Sequence, residues 1–275
     1  MKVLGICFLI NDNINHEELW YNWLKNIDKQ KYKLYIHYKN NIKLKYFEEY
    51  KLDNCIETKY GKYTITLAQN LMMKQGLDGL TLFGTNGEAS SFSINQKKET
   101  IQFLLDNRID PKILMPGSGS SSLEDAIEMT KFCANIGTKA ALVLPPYYFK
   151  NVSDEGVITY YRNVIEACGD NSFHFLLYNI PQHSGVTINF NIIENLIKLY
   201  PNNVIGLKDS TGNMDNMLKT IKYFNDFAVF CGNGALALHT SRRGGAGAIT
   251  GDANISAKLL SFIIHNFKRE KEIEN

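Results

Sequence analysis

Lys208 ends the segment NVIGLK (203–208), where Val204, Ile205 and Leu207 surround it with apolar neighbours, so its amine should stand over the mouth of a core. Burial disfavours the ammonium form, and an uncharged amine is a nucleophile toward ketones, which is the requirement of Schiff-base chemistry. The bland alternative is a lysine paired with a carboxylate such as Asp209, or turned to solvent at a strand end. Tyr178 closes the preceding apolar segment, FHFLLY (173–178). A phenol there can relay protons during addition and dehydration at a carbinolamine, and packing is the competing reading. Gly84-Thr85-Asn86-Gly87 follows a third apolar segment and offers backbone N–H groups, a hydroxyl and a carboxamide, a set suited to a carboxylate or phosphate. Its spacing is not that of a P-loop or of GxGxxG, which disfavours nucleotide binding.

Other chemistry finds less support. The six histidines (16, 37, 174, 183, 239, 265) include no HxH or HExxH pair, and no Asp/Glu cluster has ligand spacing, so no metal is expected. Five cysteines (7, 55, 133, 168, 231) lie far apart without a CxxC pair, which points to a reduced, cytoplasmic chain rather than a zinc cluster or disulfide framework. The serines of PGSGSSS (116–122) form either a phosphate loop or a β/α loop ending in a helix N-cap.

The elements that must position these residues are legible from residue 79 onward. Apolar, strand-length segments recur at 79–83, 112–116, 139–144, 173–178, 203–208, 227–231 and 247–250. Near-continuous hydrophobicity suits parallel strands covered by helices on both faces. Helical segments lie between them, such as SLEDAIEMTKFCANIG, with Ser122 as N-cap and Gly137 as stop, and NFNIIENLIKLYP, closed by Pro201. This alternation fits an α/β protein, a (β/α)₈ TIM barrel, with a doubly wound sheet as its competitor. In a barrel the reacting groups sit where strands end, which is where Lys208, Tyr178 and the Thr85 turn fall.

The 275 residues are 44% hydrophobic and 21% charged, the balance of a globular chain with a sizeable core. A formal net charge of +2 with scattered signs gives no field to attract nucleic acid or an anionic membrane. No apolar run reaches the ~18 residues of a membrane span. Lys2 and the apolar run Val3 to Ile10 imitate a short secretory signal, but Asn11, Asp12 and Asn13 stand where a small-residue cleavage site belongs, so a buried strand is expected. Residues 1–65 differ in composition: Trp20, Trp23 and several tyrosines cluster, and two strand candidates flank a helix expected from His16 to Ile27. They read as an atypical N-terminal strand–helix–strand segment, possible donor of the barrel's first strand, ahead of a barrel domain over 66–275. A further helix is expected from about Thr66, and FKREKEIEN (267–275) reads as a charged or frayed end.

From about Leu67 to Leu260 the chain resembles the dihydrodipicolinate synthase/N-acetylneuraminate lyase family of class I pyruvate-dependent aldolases. The resemblance rests on GLDGLTLFGTNGEAS, PGSGSSSLEDAIEMT, LVLPPYYFK, LLYNIPQHSG, VIGLKDSTGN and GGAGAITGDAN, in the family's order. It implies a (β/α)₈ barrel in which Lys208 forms a Schiff base with pyruvate or a pyruvate-derived substrate, Tyr178 relays protons and Thr85 is its hydrogen-bonding partner. Thr85 and Asn86 would hold the pyruvate carboxylate, with Asn86 where the family usually has Thr or Ser. Tyr148 matches a tyrosine that in synthases reaches into a neighbouring subunit, and Ile249 matches a position whose carbonyl faces the site. No cofactor is implied beyond the covalent imine, and a homodimer or homotetramer is the implied assembly.

Departures also carry information. His183 stands where synthases have an arginine for the second substrate's carboxylate, which leaves sugar-acid aldolases open. The family's helical extension does not follow Phe267, and no Thr-Pro-Phe-like turn opens the chain. Residues 1–65 loosely resemble the amino terminus of branching-type N-acetylglucosaminyltransferases, without a DxD motif. The expected function is a Schiff-base lyase that condenses pyruvate with an aldehyde or cleaves a 2-keto-3-deoxy sugar acid. The synthase, N-acetylneuraminate lyase and 2-keto-3-deoxygluconate aldolase types are all compatible. A catalytically degenerate barrel and a nucleotide-sugar glycosyltransferase-like protein are the alternatives.

Overall fold

A computed structural model describes residues 4–10, 14, 17–29, 32–38, 43–51, 76–170 and 172–268. The chain divides into two compact units, Met1–Ala68 with Glu270–Asn275, and Gln69–Arg269. The expected helix from Thr66 and the end of the charged tail lie outside the described residues.

In the first unit, β1 (Leu4–Ile10) and β2 (Tyr32–Tyr38) form a two-stranded parallel sheet, with Leu4 opposite Tyr32 and Ile10 opposite Tyr38. Parallel neighbours need a crossover, and helix α1 (Glu17–Leu24) lies on it, ending three residues before the Ile27 expected. The Glu17 carboxylate accepts from the Tyr46 and Lys45 amides at 2.7 and 3.2 Å, and Tyr21 stacks on Tyr46 at 4.3 Å.

The second unit is built on five parallel strands: β3 (Ala141–Val143), β4 (Phe175–Asn179), β5 (Val204–Asp209), β6 (Ala228–Cys231) and β7 (Gly247–Ala248). Their spatial order is their order in the chain. Two earlier apolar segments extend this series through single bridges, Leu80 with Leu114 and Gly117 with Leu142. Bonds from Gly117 N–H to Leu82 O at 2.7 Å and from Leu142 N–H to Pro116 O at 2.9 Å carry the pairing across. A doubly wound sheet reverses its strand order at a switch point, and among the described residues no reversal occurs, so the order is that of a barrel wall.

Burial explains the composition of the strands. Every residue of β3 and β4 is buried, as expected where helices cover one face and side chains fill the other. Ala140, Leu142, Leu176, Tyr178 and Ile180 form one inner cluster, with Met115, Leu144, Ile205, Phe230 and Ile249 against it.

Helices fix the strand ends. Helix α2 (Ile94–Asp106) opens with a reciprocal capping box between Ser93 and Gln96. Helix α3 (Leu123–Asn135) starts at Ser122, whose hydroxyl accepts from the Asp125 amide, and the N-cap reading of the serine loop holds. Ser118 and Ser120 serve internal contacts: Thr130 donates to Ser118 Oγ at 2.8 Å, and Ser120 exchanges two bonds with the Tyr160 hydroxyl. Gly119 is required by close approach, since a Cβ there would lie 2.3 Å from Leu144 N. Helix α4 (Asp154–Cys168) carries Tyr160 and Tyr161, and the Tyr161 hydroxyl donates to Val143 O at 2.9 Å, at the end of β3. Burial pushes both phenols up, so they act here as neutral donors.

Candidate active site

Register brings the key residues together. In the β4–β5 ladder Tyr178 is opposite Lys208, and Asn179 is opposite Asp209. Alternation along a strand sends neighbours to opposite faces, so 178 and 208 share one side and 179 and 209 the other. Lys208 is only 7% exposed and Tyr178 5%, and the Lys208 Nζ lies 4.2 Å from the centroid of the Tyr178 ring. The Tyr178 hydroxyl meets Thr85 Oγ1 at 3.1 Å. Thr85 opens a short 3-10 turn, Thr85–Gly87, directly after Gly84. An amine, a phenol and an alcohol from three separate segments thus form one continuous contact.

The alternative role for Lys208 is an ion pair with a neighbouring carboxylate. Among the described residues no carboxylate forms an ion pair with it. Asp209 serves other partners on the opposite face. Its carboxylate accepts from Asn179 Nδ2 at 3.2 Å, Asn216 Nδ2 at 3.3 Å, the Thr211 amide at 2.9 Å and the Thr211 hydroxyl at 2.5 Å. Four donors satisfy that buried charge without the lysine.

The other expected residues fall into two groups. Asn86 belongs to the same turn as Thr85, and Ile249, whose amide donates to Cys231 O at 2.9 Å, packs against the cluster that holds Tyr178. Tyr148 and His183 stand apart. Tyr148 is 73% exposed with its ring edge-on to Phe149, His183 is exposed on the short helix α5 (Pro181–Ser184), and neither bonds to Lys208, Tyr178 or Thr85. Lys150 ties the two regions together, because its ammonium donates to Tyr147 O at 2.6 Å and to Ser184 O at 3.0 Å. Sequence reading missed Lys150, whose only signal is a cation two residues after the tyrosine pair. It also missed Asn179, fully buried and next to Tyr178, whose Oδ1 accepts from the Ile188 amide.

A Ser–His–Asp succession occurs elsewhere, where His265 Nδ1 is 3.1 Å from Ser261 Oγ and Nε2 is 3.2 Å from Asp78 Oδ1. Ser261 donates its proton to Gly76 O at 2.5 Å, and His265 Nδ1 also lies 2.8 Å from Ser261 O, so this is a tie between segments rather than an activated nucleophile. Among the described residues no three His, Cys, Asp or Glu side chains form a metal-holding group, and no helix is long and apolar enough to cross a membrane.

Residues 62–273 match the model of the dihydrodipicolinate synthetase family. A 4-hydroxy-tetrahydrodipicolinate synthase of Pelagibacter ubique is 32% identical over 207 residues, covering 75% of this chain and 67% of its own. A 2-dehydro-3-deoxy-D-gluconate/2-dehydro-3-deoxy-phosphogluconate aldolase of Picrophilus torridus is 30% identical over 211 residues, covering 75% and 76%. Curated relatives are spanned over 63–76% of their length. Among solved structures, dihydrodipicolinate synthase from Agrobacterium tumefaciens superposes with a TM-score of 0.71 at 30% identity, over 75% of this chain and 72% of that one. The fold is therefore that of these (β/α)₈ barrels. None of these matches supports the glycosyltransferase resemblance of residues 1–65.

Proposed function

Because the chain belongs to the dihydrodipicolinate synthetase family, we propose that it is a class I lyase that joins pyruvate to an aldehyde, or releases pyruvate from a 2-keto-3-deoxy sugar acid, through an imine on Lys208. The observation that carries this reading is the contact chain from Lys208 Nζ over the Tyr178 ring to the Tyr178–Thr85 hydroxyl pair. In the proposed reaction the amine adds to the keto carbon, and the carbinolamine loses water to give a protonated imine. That imine is an electron sink, so a proton leaves C3 and the resulting enamine attacks the aldehyde carbon. Hydrolysis of the imine then returns the free amine and the product. Tyr178 carries protons to and from the carbinolamine oxygen, with Thr85 holding its hydroxyl in place.

Thr85 and Asn86 bind the carboxylate in this reading, and Ile249 lines the pocket. No cofactor takes part, since the imine supplies the electron sink. His183 in place of an arginine, with the Picrophilus aldolase among the relatives, keeps a sugar acid beside aspartate semialdehyde as the second partner. Tyr148 is assigned to contact with a second subunit, in a homodimer or homotetramer working in the cytoplasm.

Borohydride trapping tests the proposal. Incubation with pyruvate followed by reduction should leave a covalent adduct that mass spectrometry maps to Lys208, and Lys208→Ala should abolish it. Folded protein with no adduct at residue 208 would make the degenerate barrel the better account. A panel of sugar acids and aspartate semialdehyde, assayed for pyruvate release or uptake, then identifies the second substrate.

A further inference from the structure

Gly251 lies in the turn that follows β7, two residues beyond Ile249. Its φ is not left-handed, so the backbone there is open to any residue. The need for glycine is spatial. A Cβ at 251 would come within 2.0 Å of Asn86 Nδ2 and 3.1 Å of Asn86 Cγ, so the Asn86 carboxamide occupies the place of the missing side chain. Asn86 adjoins Thr85, whose hydroxyl touches the Tyr178 phenol, and Ile249 packs against the cluster that includes Tyr178. The pair therefore brings the exposed Thr85 turn against the turn after β7. Among the described residues no protein group bonds to the Asn86 carboxamide, which leaves two N–H donors for a ligand.

We propose that Gly251 is a positioning residue: the slot it leaves holds the Asn86 carboxamide as a donor to the carboxylate of the bound keto acid. This rests on the Schiff-base reading above. An amide donor to an ionised carboxylate makes a charge-assisted bond, so misplacing it should weaken keto-acid capture more than it slows imine chemistry. The obstacle that a methyl group at 251 would meet is the tip of a rotatable side chain, not backbone, so Gly251→Ala should fold with Asn86 swung aside.

The test is a cycle of wild type, Gly251→Ala, Asn86→Ser and the double variant, each titrated with pyruvate and trapped with borohydride. Gly251→Ala should raise the half-saturating pyruvate concentration roughly tenfold while the adduct at saturation stays near the wild-type yield, the effect of one lost charged hydrogen bond. Added to Asn86→Ser, the same alanine should change nothing further, because the side chain it displaces is gone. Wild-type half-saturation in Gly251→Ala, or an equal weakening with and without Asn86, would overturn the proposal. A wild type that traps no pyruvate would overturn the Schiff-base reading and this inference with it, whereas normal trapping without coupling overturns the inference alone. If Gly251→Ala fails to fold but the double variant folds, the pairing stands; if neither folds, glycine serves the backbone and the proposal fails.

Discussion

At the scale of single residues, the Tyr178 ring and its hydroxyl do separable things. The ring lies under the Lys208 amine, and the hydroxyl meets Thr85. Tyr178→Phe keeps the first and deletes the second. Turnover should fall by roughly 10²–10⁴-fold, the usual scale of general acid–base help, while pyruvate is still captured at Lys208 to a measurable degree. Steady-state rates set against trapping yields would show the split, and undiminished turnover would reduce Tyr178 to a packing residue. Lys208 and Tyr178 were each visible before any coordinates as a polar group ending an apolar segment, but position alone favoured the bland reading, and the six ordered motifs of the family resemblance reversed it for Lys208. The partners of Asp209 were not visible. Its place beside Lys208 in the chain suggested an ion pair, whereas alternation turns it toward Asn179, Thr211 and Asn216.

At the scale of elements, the close approach at Gly119 is a constraint on how the loop after the second apolar segment meets the next strand. With 2.3 Å between a would-be Cβ and Leu144 N, Gly119→Ala must push backbone away from backbone, and no flexible side chain can yield. Overpacking of this kind costs about 1–3 kcal/mol, so the urea midpoint should drop with little change in slope. An unchanged midpoint would mean that the loop relaxes freely. The apolar runs located the strands, but their extents shifted for local reasons. KILMP gives its first residues to a 3-10 turn, Pro111–Ile113, and Pro116 has no N–H to donate to a ladder, so pairing there reduces to bridges. GAIT keeps strand geometry only over Gly247–Ala248. Ser122 was legible as a cap because hydroxyl capping is a local matter, while the choice between barrel and doubly wound sheet depended on strand order, which no local pattern encodes.

At the scale of the whole molecule, the division into two units gives residues 1–65 a separate standing. We propose that they form a unit distinct from the barrel, as the composition shift suggested. Brief trypsin treatment should then leave a resistant fragment that spans the second unit and still traps pyruvate. Early cuts spread through the barrel helices would argue for a single cooperative body.

The opposed facing of Lys208 and Asp209 has one more consequence. If β5 slid by one residue against β4, a slip one way would set the Asp209 carboxylate opposite Tyr178, and a slip the other way would set the Lys208 ammonium opposite Asn179. Either slip buries a mismatched charge, at a cost of several kcal/mol, so the mispaired strand would be unstable. Consecutive residues of contrary charge thus serve as a parity bit for the wall of the barrel, and the proposed imine formation would read out whether the bit is set correctly.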